Sequence, residues 1–72
     1  MLLSQIKRGK VKIVGFLGGR NFQRKMFALG IFIGDIVEVI VNNYPGPVII
    51  AKNGLRVGIG FGMANKILIE KL

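Results

Sequence analysis

No cysteine and no histidine occur in these 72 residues, and only three residues are acidic: Asp35, Glu38 and Glu70. Without cysteine there is no disulfide framework, no thiolate nucleophile and no structural zinc. Without histidine the side chain best suited to acid–base work near neutral pH is missing, and no nucleophile–base pair can be assembled from what remains. Three carboxylates are too few for a cage around a hard cation. Asp35 and Glu38 read as residues of one strand, an odd number of positions apart, so they point to opposite faces and do not converge. The apolar runs fall far short of a membrane span, and no signal-peptide pattern opens the chain. No catalytic, metal-ligating or cofactor-binding residue is therefore expected, and the chain reads as a soluble cytoplasmic module without membrane insertion.

What is present is positive charge and apolar residues. Eleven lysines and arginines give a net charge of +8, and 51% of the residues are hydrophobic. The length makes one domain, residues 1–72, whose core has to be dense because so small a chain has little to spare against the entropy of folding. The basic residues begin with Lys7, Arg8, Lys10 and Lys12 and continue along the whole chain to Lys71. Charge of one sign attracts an acidic partner, be it nucleic acid, an anionic membrane face or an acidic protein. The simpler reading is that lysines and arginines coat the outer faces of strands and protect sheet edges.

The most informative stretch runs from Phe22 to Ile40. Phe22, Met26 and Leu29 are spaced to share one face of a short helix, with Asn21 as candidate N-cap and Gly30 placed where a left-handed residue ends a helix. Gly34-Asp35 reads as a turn and Ile36 to Val41 as a strand. A helix this short is marginal alone and has to pack on a sheet. Before it, Leu3 to Arg8 is a lead-in that packs Leu3 and Ile6 inward, Gly9 is a turn, and Val11 to Leu17 is a strand with Val11 and Ile13 facing in and Lys10 and Lys12 facing out. Gly15 within that strand predicts a bulge or sharp bend. After it come a turn-rich loop (Asn42 to Pro47) and a strand (Pro47 to Lys52). The hairpin dipeptide Asn53-Gly54 leads to a returning strand, Leu55 to Gly60. Gly60 to Gly62 breaks that strand, Met63 to Lys66 makes one helical turn, and Ile67 to Leu72 closes the chain. The pattern is all-β with short helices: a small, partly open SH3-like barrel of about five strands, with a helical insertion between strands 1 and 2.

Two features invite chemistry. Gly58 to Gly62 looks like a phosphate loop, but no helix of useful length and no Lys-Ser/Thr end follow it, so its glycines read as permitting tight bends. The five phenylalanines, Phe16, Phe22, Phe27, Phe32 and Phe61, have the chemistry of base-stacking platforms. Most occupy core-facing positions, and burial is expected for at least three. Phe27 lies off the apolar stripe of its helix and is expected either against a neighbouring loop or in an exposed apolar patch.

Lys25-Met26-Phe27-Ala28-Leu29-Gly30-Ile31-Phe32-Ile33-Gly34, followed by a strand, resembles the basic–Leu-x-x-Leu-Gly-Ile/Leu/Met-x-Pro-Gly motif of the FeoA family. Pro45-Gly46-Pro47-Val48 is similar to that family's Gly-Asp-Pro-Ile/Val loop. Gly54, then Met63-Ala64-Asn65-Lys66-Ile67, resembles its closing Ala-x-x-Ile motif, and the lead-in Leu3 to Gly9 is also similar. Each motif alone is weak, but the ordered set spans nearly the whole chain. The departures are Ile33 where the family usually has proline, Gly46 where it often has aspartate, and Gly60 where arginine is common.

The resemblance implies an SH3-like fold and a small, non-enzymatic, cytosolic accessory of the FeoB ferrous iron transporter, a membrane protein with a cytoplasmic GTPase domain. The same module occurs as the C-terminal domain of iron-dependent repressors, which makes a detached regulatory domain one alternative. A basic nucleic-acid-binding barrel of the ribosomal or translational type is another, though nucleic acid is the less expected partner. Family members are often described as binding transition metals, which this chain's lack of histidine and cysteine opposes. With the apolar stripe turned to the barrel, Arg20, Gln23, Arg24 and Phe27 fall on the helix's outer side. They combine an aromatic anchor with arginines and are the candidate contact for the FeoB-like GTPase, with self-association a further possibility.

Overall fold

Lysines alternate with β-branched residues from Gly9 onward, and in the computed structural model, which describes Met1–Leu72, that alternation becomes strand β1 (Gly9–Phe16). Val11 and Ile13 are buried while Lys10 and Lys12 are exposed, as a strand with one face on a core requires. A single 3₁₀ turn, Leu3–Gln5, precedes β1, and both Leu3 and Ile6 are buried. Helix α1 (Arg20–Ala28), strands β2 (Ile36–Asn42), β3 (Val48–Lys52) and β4 (Leu55–Ile59), the one-turn helix α2 (Phe61–Ala64) and strand β5 (Ile67–Lys71) follow.

The strands form one sheet in the order β4-β3-β2-β1-β5, every neighbouring pair antiparallel. Register shifts between Ile13 and Gly15 on β1 and between Val39 and Val41 on β2 bend and twist the sheet, which lets it curl around its own core. The first of these is the bend that Gly15 predicts. Asn53 and Gly54 both have positive φ, 52° and 80°, and close the two-residue hairpin between β3 and β4. Met1 and Leu2 cover the outer edge of β5, where the Ile69 N–H donates to the Met1 carbonyl at 2.8 Å and Leu2 bridges Leu68. Asn42 ties the lead-in down: its side-chain amide donates to the carbonyls of Ser4 and Ile6 at 2.9 and 2.7 Å. The architecture is the mostly-β, SH3-like, five-stranded fold expected, with α1 between the first two strands.

The core corrects one expectation. All 14 buried residues are aliphatic or methionine, and none of the five phenylalanines is among them. Phe16 and Phe22 are half-buried, while Phe27, Phe32 and Phe61 are exposed. Inward positions on the strands are taken by valine and isoleucine, whose branched side chains fill a small barrel. The aromatic rings are displaced to its rim, where they meet edge to face: Phe16 with Phe22 at 5.9 Å, Phe27 with Phe32 at 5.2 Å, and Tyr44 with Phe61 at 5.9 Å.

Both ends of α1 also differ from the sequence reading. The N-cap is Gly19, whose carbonyl accepts the Gln23 N–H at 3.0 Å, and Asn21 lies inside the first turn. At the other end Met26 is fully buried, but Leu29 is the C-cap and 40% exposed. The physical reason is a Schellman motif. Gly30, at φ 78°, donates to the Phe27 carbonyl at 3.0 Å, and Ile31 donates to the Met26 carbonyl at 2.9 Å. That reversal swings Leu29 out and brings Ile31 in, so the buried residues here are Met26 and Ile31. Helix α2 begins at Phe61, two residues before the position expected, because the carbonyls of Gly60 and Phe61 already accept the N–H groups of Ala64 and Asn65.

Phe32 to Asp35 forms a turn before β2, as the reading of Gly34-Asp35 as a turn predicts, so Asp35 does not share a strand with Glu38 as was also expected. The Asp35 N–H donates to the Phe32 carbonyl at 3.1 Å, and the Asp35 carboxylate accepts the Phe32 N–H at 2.8 Å. Gly34 holds φ 98° at the third position, the arrangement of a type II turn. The turn is fastened to β1 by Gly34 N–H to the Ile13 carbonyl at 2.7 Å and Ile13 N–H to the Asp35 carbonyl at 2.8 Å. Ile33 occupies the second position, which favours proline, and its N–H donates to no backbone carbonyl. Ile33→Pro is therefore expected to raise stability by about 0.4–1 kcal/mol through the unfolded chain, read as a higher midpoint in denaturant unfolding.

Candidate docking site

Helix α1 presents two exposed flanks on either side of buried Met26. On one flank Arg20, Gln23, Arg24 and Phe27 recur at the i, i+3, i+4, i+7 spacing of a single helical face, and all four are exposed. They line one shallow concavity of about 370 Å³. Its other wall comes from β1 and from the segment after the helix: Phe16, Ile31, Phe32 and Ile33. The four candidate residues are thus brought together, and the sequence reading missed the second wall. Phe32 and Ile33, large apolar residues in a turn between two glycines, were the available signal for it.

Phe27 is 70% exposed. Its ring is held edge to face against Phe32, which meets both alternatives posed for it: it packs on a neighbouring loop and remains an exposed apolar surface. Phe32 is held in turn by Lys52, whose ammonium lies 4.7 Å from the ring centroid. The same ammonium donates to the Asp35 carboxylate at 2.6 Å and to the Gly30 carbonyl. Residues from the end of β3, the Schellman turn and the turn before β2 therefore meet at one charge. Nothing in the local sequence announces this cluster, because Lys52 and Asp35 are 17 positions apart.

Lys52–Asp35 is the one ion pair in the molecule. The other two carboxylates, Glu38 and Glu70, sit in register opposite Lys10 and Lys12 of β1. Arg20 and Arg24 consequently carry uncompensated charge beside the aromatic pair, a combination over-represented among binding hot spots. No three side chains of the metal-ligating types come together, and no helix is long and apolar enough to cross a membrane.

Five antiparallel strands curled on an aliphatic core, with a helix between the first two, define the class as a small SH3-like barrel. The FeoA domain model matches residues 1–71, and the chain belongs to the FeoA family. It is 38% identical over 69 residues to "Putative Fe(2+) transport protein A" of Methanocaldococcus jannaschii, covering 94% of this chain and 83% of that protein. It superposes with a TM-score of 0.87 and 34% identity on the crystal structure of "Iron Uptake Regulatory Protein (FeoA)", covering 100% of this chain and 96% of the other. The manganese regulator SloR contains a similar fold at a TM-score of 0.90, but at 20% identity and over only 34% of its chain, so that likeness is one of fold alone.

Two outcomes follow from this geometry. Lys52→Ala leaves the Gly30 carbonyl and the Asp35 carboxylate without their cation and is expected to cost about 1–3 kcal/mol in urea unfolding. Calorimetric titration of the monomer with Fe²⁺ or Zn²⁺ is expected to give no stoichiometric binding at micromolar concentration, since one carboxylate is engaged by Lys52 and the other two face lysines on β1.

Proposed function

We propose that this protein is a non-enzymatic cytoplasmic accessory of ferrous iron uptake that acts by contact with the GTPase domain of a FeoB-like membrane transporter. The observation that carries this reading is the convergence of Arg20, Gln23, Arg24 and Phe27 on one concavity with an exposed, braced aromatic pair. Support for the iron context comes from family membership and from the relatives named for Fe(2+) transport and iron uptake. A net charge of +8 suits an acidic partner surface and speeds encounter with it. An adjacent reading frame encoding a large GTPase–membrane protein would add independent support.

The contact is tested by Phe27→Ala and Arg24→Glu, made separately and titrated against the transporter's cytoplasmic domain. Each is expected to weaken association by about 1 kcal/mol or more while leaving the unfolding midpoint unchanged. If both variants bind normally, α1 is scaffold and the contact belongs elsewhere, first on the Asn42 to Pro47 loop. Tight nucleic-acid binding that collapses between low and moderate salt would instead favour a nucleic-acid-binding barrel.

A further inference from the structure

The opposite flank of α1 faces a second and larger concavity, about 620 Å³, bounded on its far side by α2 and the residues that flank it, Gly60 and Lys66. Lys25 enters it from α1 and Lys66 from the residue before β5. Neither ammonium has a carboxylate partner, and no acidic residue lines the cleft. All three carboxylates are committed elsewhere, so two positive charges face one cavity with no counter-charge from the chain. Lys66 is also oriented, its ammonium lying 5.6 Å from the centroid of the half-buried Phe22 ring.

The rest of the lining is of a different kind. Phe61 is 48% exposed at the cleft and braced edge to face by Tyr44 at 5.9 Å, and Met63 is half-buried beside it. A flat, supported aromatic face next to a polarizable thioether suits a planar ring, and the volume falls within the range of small-molecule sites. The Asn21 side chain adds an amide able to donate and accept on the α1 side. The glycines around Phe61 contribute room and not a backbone cradle, in keeping with the absence of a helix long enough for one.

The geometry points to this cleft as a binding site for a nucleoside phosphate, with the phosphates on Lys25 and Lys66 and the base on Phe61. Two cations alone would serve any anion. The exposed aromatic ring lining the same cleft is what selects a phosphate carried on a flat ring, because inorganic phosphate leaves that surface unused. The site is separate from the Arg20–Phe27 flank and does not depend on the transporter contact.

The test is titration of the isolated full-length protein with ADP, GDP, adenosine and inorganic phosphate at fixed salt, followed by NMR shift perturbation. Saturable one-to-one binding of a nucleoside diphosphate is expected, with shifts centred on α2 and the Lys25 flank and an affinity at least about tenfold above that for phosphate. Lys25→Ala/Lys66→Ala is expected to reduce nucleotide affinity about tenfold or more, and Phe61→Ala to weaken nucleotide but not phosphate. Lys7→Ala/Arg8→Ala removes the same charge from exposed positions away from the cleft and is expected to leave binding unchanged. No saturation up to about 10 mM, phosphate binding as tightly as nucleotide, or an equal loss in the Lys7/Arg8 control would each overturn the assignment. Unfolding midpoints of all variants establish that the fold is retained.

Discussion

One ammonium group ties the long connection between β1 and β2 to the sheet. Lys52, at the end of β3, reaches the carbonyl that terminates α1's Schellman turn, the carboxylate of the turn before β2, and the face of Phe32. Those three groups belong to the connection between β1 and β2, the only long one in the fold. A connection of that length carries a conformational cost, and its helix roots only Met26 fully in the core. The partly buried charge closes it onto the sheet, and the aromatic pair on the docking flank inherits its orientation from that closure.

The sheet was legible in the sequence for local reasons. Alternation placed Val11 and Ile13 inside, Asn53-Gly54 specified the hairpin, and Gly15 marked the bulge; each signal acts within a few residues. The errors arose where a distant contact or a helix end decided the outcome. Leu29 has the right spacing for the helical stripe, yet the Gly30 reversal hands its place to Ile31. Asp35 is readable as a turn residue, but that its carboxylate caps the turn and meets Lys52 is not. The phenylalanines were misjudged because hydrophobicity does not report how wide a small barrel is inside. As for the site, helical spacing alone grouped Arg20, Gln23, Arg24 and Phe27, while the opposing wall depended on how the chain turns after Gly30.

The distribution of charge has a simple origin. Glu38 and Glu70 are spent as cross-strand neighbours of lysines on β1, and Asp35 is spent on Lys52. With acids that few, each one engaged inside the sheet or its turns removes compensation from the surface. The flanks of α1 are left cationic and aromatic at once, and the family's proline position, filled here by Ile33, adds further apolar surface to one of them.

Helix α1 is a party wall. The concavity on one side and the cleft on the other share it, and their lining residues interleave along its length, with Arg24 facing one and Lys25 the other. Any displacement of the helix therefore bears on both spaces at once. Met26 is the single residue of the helix rooted fully in the core. Whatever an occupant on one side gains or loses from an occupant on the other is, by thermodynamic reciprocity, returned in equal measure.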